Sequence, residues 1–118
     1  MIIEPSPEMS ATLAKALRRE GIKFEIVSSS EEAIAKAENK ELKAVVVELL
    51  LAKHNGLEFI YEFRTYADWD NVKLFLYTHL SKDEINLSEK LMREIGIDRH
   101  YYKPITSLKK LIKELNKV

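Results

Sequence analysis

The sequence predicts an α/β fold, a single doubly wound (βα)5 domain over residues 1–118 with a five-stranded parallel sheet and helices on both faces. Three observations predict it. Five short apolar runs alternate with longer amphipathic segments at a nearly constant beat. The third run, Ala44, Val45, Val46 and Val47, lacks polar alternation, as expected of a mid-sheet parallel strand covered on both faces. No linker of glycine, proline or serine interrupts the pattern.

Residues 1–4 read as a short first strand. Ser6 with Pro7 makes an N-cap and first-turn pair, after which Met9, Leu13, Ala16 and Leu17 line one face of a helix that stops at Gly21. Residues 23–27 alternate as a second strand. Ser29 and Glu32 have the spacing of a capping box before a helix carrying Ala33, Ile34 and Ala37. The third strand covers residues 42–48. Gly56 leads into a third helix with Leu57, Ile60 and Phe63 inward and Tyr61 inward or on the margin. Residues 72–78 form the fourth strand, and Ser81 with Glu84 opens a fourth helix whose stripe is Leu87, Leu91 and Ile95. Residues 100–102 make a brief fifth strand, and Ser107 caps a last helix lined by Leu108, Leu111, Ile112 and Leu115.

Composition narrows the function classes. The absence of cysteine removes disulfides, thiolate catalysis and sulfur-ligated zinc. Nineteen basic residues balance nineteen acidic ones, so no global field draws the chain to nucleic acid or to an anionic membrane. Lys109, Lys110, Lys113 and Lys117 form a basic stripe, which Glu114 and the neutral total turn into a solvated helix face. With no long apolar run and no apolar leader, a cytoplasmic location is expected.

In a doubly wound sheet the site lies beyond the carboxyl ends of the strands. Glu4, Glu48, Thr78 and Lys103 fall at or just after strand ends one, three, four and five. Glu48 is the most informative of them, because a carboxylate inside an apolar run is costly unless it sits at a strand mouth or meets a charged partner. His54, His79 and His100 have neither ligand spacing nor an adjacent acid pair, so no metal role is assigned to them. The first turn, Pro5-Ser6-Pro7, has no glycine and is a poor phosphate cradle.

Taken together these pieces resemble the receiver domain of two-component response regulators, the CheY-like family, across all 118 residues. An acid after strand one is followed by Pro7-Glu8-Met9, and an acid closes strand three eight residues before a glycine in "ELLLAKHNGLEF". A hydroxyl closes strand four at Thr78, and "GIDRHYYKPI" ends on a Lys-Pro pair. The resemblance implies a flavodoxin-like sheet of order 2-1-3-4-5 and a cis bond before Pro104. It also implies the residue roles. An aspartate at the Glu48 position would accept a phosphoryl group from a histidine kinase, on a magnesium ion held with an acidic pair after strand one and the carbonyl of Leu50. Thr78 and Lys103 would hold the phosphoryl oxygens, and His100 occupies the position of the aromatic switch.

The departures from that pattern are chemical. Glutamate at position 48 carries one methylene more than aspartate, which moves the carboxylate by about 1.5 Å. Proline at position 5 supplies no carboxylate, and Glu4 is longer than the family's aspartate, whereas magnesium requires near-octahedral oxygen ligands. Ala52 replaces the usual proline, and His79 stands where a small residue leaves room for the phosphoryl group. The sequence therefore predicts a phosphorylation-independent pseudo-receiver with no enzymatic activity and no cofactor, in which Glu48 faces Lys103 with Thr78 near by. The alternative is an active single-domain response regulator with bound Mg2+. A protein partner, or a second copy of the chain, is expected on the face made by the fourth helix, fifth strand and fifth helix, with Tyr101, Tyr102, Lys109 and Lys113 in the interface.

Overall fold

Strands β1 (Ile2–Ile3), β2 (Ile26–Val27), β3 (Ala44–Val47), β4 (Lys73–Thr78) and β5 (Arg99–Tyr102) form one parallel sheet in the order β2-β1-β3-β4-β5. The computed structural model describes residues 1–38, 40–51 and 55–118. Ala52 and His54 lie outside the described residues.

The apolar run at 44–47 is central, as its lack of polar alternation requires. Successive strand residues face opposite sides. Ile3, Val45, Val47, Leu74 and Leu76 pack with Ala33 and Ala37 of α2 (Ser30–Ala37) and with Phe59, Ile60 and Phe63 of α3 (Gly56–Phe63). Ile2, Val46, Phe75 and Tyr77 pack on the other face with Leu13 and Leu17 of α1 (Pro7–Arg19) and with Leu111 and Ile112 of α6 (Leu108–Asn116). Two half-cores thus clamp the sheet and fix its register, because a one-residue slip would turn every strand side chain to the wrong layer.

Local chemistry starts the helices where the serines predict. Ser6 accepts a hydrogen bond from the Met9 N–H, Ser29 from Glu32 and Ser81 from Glu84. The Ser81–Glu84 pair closes a full capping box, whereas Glu32 turns its carboxylate to the Ser28 N–H and leaves its box half made. Ser107 is the N-cap of α6 without a side-chain hydrogen bond.

Several expectations are corrected. The fourth helix is two short ones, α4 (Lys82–Ile85) and α5 (Glu89–Glu94), because Asn86 takes the left-handed conformation at φ 55° and ends the first. The 87/91/95 stripe still meets the core, since Leu87 and Ile95 pack against it from the loop and the α5 cap. Tyr61 is 47% exposed, and Phe59 takes the inward position instead. The second strand shortens to Ile26–Val27; Glu25 gives only its carbonyl to the Ile2 N–H. The third strand begins at Ala44 and ends at Val47, the fourth begins at Lys73, and the fifth gains Arg99. No cis peptide bond occurs among the described residues, so the bond before Pro104 is trans.

Gly56 is required by close approach. A Cβ there would stand 2.7 Å from Leu49 Cα and 2.9 Å from the Glu48 carbonyl oxygen. The start of α3 therefore sits against the end of β3, with the Gly56 N–H donating to the Leu49 carbonyl at 3.0 Å and Leu50 bridging to Asn55.

Candidate functional site

The four polar residues singled out at strand ends converge. Backbone ladders carry three of them one step past the paired strands, where Glu4 N–H donates to the Val27 carbonyl at 2.9 Å, Glu48 N–H to Ile3 at 3.0 Å and Lys103 N–H to Thr78 at 2.9 Å, while Thr78 itself closes β4 opposite Tyr102. Glu4, Glu48 and the Lys103 side chain are each 3% exposed, and Thr78 is fully buried.

Lys103 Nζ bridges both acids, at 2.5 Å from Glu4 Oε1 and 2.9 Å from Glu48 Oε1. The ammonium also stands 5.3 Å from the centre of the Tyr77 ring, a cation–π contact. The sequence predicts a pair; the structure makes a triad with Glu4 as its third member. Glu4 Oε2 accepts from the Ser6 N–H at 3.1 Å, which fastens the first turn to the site.

Glu48 is saturated with donors. Oε1 takes Lys103 Nζ and the His79 N–H at 3.1 Å, with His79 Nδ1 also at 3.1 Å. Oε2 takes the Leu50 N–H at 3.1 Å and the Thr78 hydroxyl. Burial, the largest single influence, pushes the Glu48 carboxyl up. The hydrogen bonds from Thr78, Lys103 and Leu50, with the charge of Lys103, outweigh it and hold the group below its ordinary value.

A carboxyl with a depressed folded pKa stabilises the fold fully above its unfolded value, and that contribution disappears as pH falls through the folded value. The protein should therefore lose stability as pH drops below the ordinary 4.5, while Glu48→Gln, less stable at neutral pH, should show a flatter acid slope. Urea midpoints at a series of pH values measure this; parallel slopes would contradict the assignment.

The β4–α4 loop is fastened from two sides. His79 contacts Glu48, and His100 Nε2, in the switch position, lies 3.0 Å from the Leu80 carbonyl. The Leu80 N–H donates to Thr78 Oγ1 at 3.2 Å. His79 and Glu4 have roles that the sequence did not disclose, because each depends on a partner far along the chain. Of the residues expected in an interface, Lys109 and Lys113 are exposed, whereas Tyr101 and Tyr102 are half-buried. Tyr101 packs on Phe75 with ring centres 6.4 Å apart.

A family profile described as "Response regulator receiver domain" matches residues 1–116. The chain belongs to the response regulator receiver domain family. The receiver fold is shared with a sensor protein from Polaromonas sp. JS666, at TM-score 0.86 and 20% identity, covering 98% of this chain and 90% of that one. It is shared equally with the chemotaxis response regulator CheY4 of Vibrio cholerae, at TM-score 0.82 and 18% identity, covering 98% and 93%. In sequence, this receiver is 31% identical over 72 residues to the transcriptional regulatory protein TcrA of Mycobacterium tuberculosis. That match covers 61% of this chain and 28% of TcrA. No helix among the described residues is long and apolar enough to cross a membrane.

Proposed function

We propose that this receiver works without phosphorylation of its acceptor position, as a protein-interaction module whose phosphoryl pocket is filled by its own Glu48. One observation carries the reading. The Thr78 hydroxyl and Lys103 ammonium, the groups that the family resemblance assigns to phosphoryl oxygens, both donate to the Glu48 carboxylate. The Leu50 and His79 amides do the same. An incoming phosphoryl group would have to displace a tethered anion from every one of these donors, in a transfer that depends on positioning.

The donor set does not fit magnesium. Position 5 is proline, and Glu4 and Glu48 both face the Lys103 ammonium, which already supplies the positive charge between them. Ile85 of α4 and Met92 of α5 pack on the core, and the outer surface of these helices, with β5 and α6, is the proposed contact face for a protein partner.

Incubation with acetyl phosphate and magnesium, followed by intact mass and hydroxylamine treatment, tests the reading. The expected result is no hydroxylamine-labile phosphoryl adduct. An acyl phosphate on Glu48 would restore the active response regulator.

A further inference from the structure

His79 stands at the mouth of the site with Nδ1 on Glu48 and, among the described residues, no partner for Nε2. The Glu48 carboxylate only accepts hydrogen bonds here, since Lys103, Thr78 and two amides already donate to it. The hydrogen of the 3.1 Å contact with His79 Nδ1 therefore belongs to the ring. In the neutral imidazole that places the lone pair on Nε2, on the opposite side of the ring. The side chain is 57% exposed, and no described residue bonds Nε2.

A buried carboxylate behind an imidazole fixes its tautomer, aims the ring and stabilises positive charge that develops on it. His79 is held twice over, because its backbone N–H donates to the same Oε1 as its ring. His100 is different: its Nε2 faces the Leu80 carbonyl, an acceptor, and so carries a hydrogen.

We propose that His79 Nε2 is a covalent modification site, a nucleophile that takes a phosphoryl group from a small donor of the phosphoramidate class. The Nε2 lone pair forms the new N–P bond as the donor's P–N bond breaks. The bonding pair leaves on the donor nitrogen, already protonated, as ammonia. The ring keeps its Nδ1 hydrogen, and Glu48 faces the positive charge created. This step rests on Glu48 remaining a free carboxylate, as the proposed function holds.

Potassium phosphoramidate, without metal, is the probe, and the readout is peptide mapping at neutral pH with an alkali-treated control. The expected result is an alkali-stable, acid-labile adduct mapped to His79, formed about tenfold faster than on N-acetylhistidine. Glu48→Gln should slow it by about tenfold, and His79→Gln should abolish it. The comparison with N-acetylhistidine uses the unaltered protein, so a poorly folding variant does not spoil the test. No adduct on His79, a rate no faster than N-acetylhistidine, or an unchanged rate in folded Glu48→Gln overturns this proposal and leaves the reading of Glu48 standing. An alkali-labile adduct on Glu48 overturns both.

Discussion

Lys103→Met should destabilise the protein by about 3 to 5 kcal/mol, because it leaves two buried carboxylates facing each other without a cation. Methionine keeps most of the side-chain length and the packing on Tyr77, so the loss reports charge more than volume. The starting point matters: domains of this size are stable by only about 5 to 15 kcal/mol, so the variant stands near its unfolding threshold. Glu48→Gln added to Lys103→Met should recover part of the loss, since one of the two unpaired charges is removed. The double-mutant cycle should be non-additive by more than about 1 kcal/mol. Urea unfolding of the four proteins measures this. A loss below about 1 kcal/mol for Lys103→Met would show that water screens the triad.

Arg64→Met should cost about 2 to 4 kcal/mol through a different mechanism. The guanidinium at the C-cap of α3 donates to four carbonyls, those of Trp69 at 2.8 Å, Asp70 at 3.3 Å, Val72 at 2.9 Å and Gly96 at 2.7 Å. It thereby ties the approach to β4 to the turn before β5. Gly96 belongs to the same device: its φ of 76° is left-handed, and a Cβ there would fall 2.8 Å from Arg64 Nε. Gly96→Ala should destabilise by a comparable amount, and the two changes together should be less than additive. Hydrogen exchange at Ile97 and Asp98 supplies the local readout, because their amides bond to Met92 and Leu74 across this turn. Unchanged exchange there in a destabilised Arg64→Met would place the loss elsewhere.

Arg64 was not legible in the sequence, and the reason is physical. An arginine at a helix end reads as a solvated cation, and nothing in its spacing announces four carbonyl acceptors up to 32 residues away. The sheet was legible, because burial on both faces writes itself as an unbroken apolar run at 44–47. Capping serines marked the helix starts for the same kind of reason, a local hydrogen bond with a local signature. Asn86 shows the limit of periodicity. Leu87, Leu91 and Ile95 keep a helical spacing and all pack inward or on the margin, yet one residue in the left-handed region splits the segment. At the site, strand-end logic brought Glu4, Glu48, Thr78 and Lys103 together, but it could not show that one ammonium serves both acids. Nor could it show that Glu48 takes the Leu50 and His79 amides as well as the two groups expected of it.

The measurement that bears most directly on the self-filled pocket is a beryllofluoride titration with magnesium, followed by the amide chemical shifts of Leu50, Thr78, His79 and Leu80. These amides line or adjoin the Glu48 carboxylate, so a phosphoryl analogue entering the pocket must displace it and move them together. A pocket occupied by Glu48 predicts shifts that stay where they are at every concentration. Saturable shifts at these four positions, spreading to His100 and Tyr101, would contradict it.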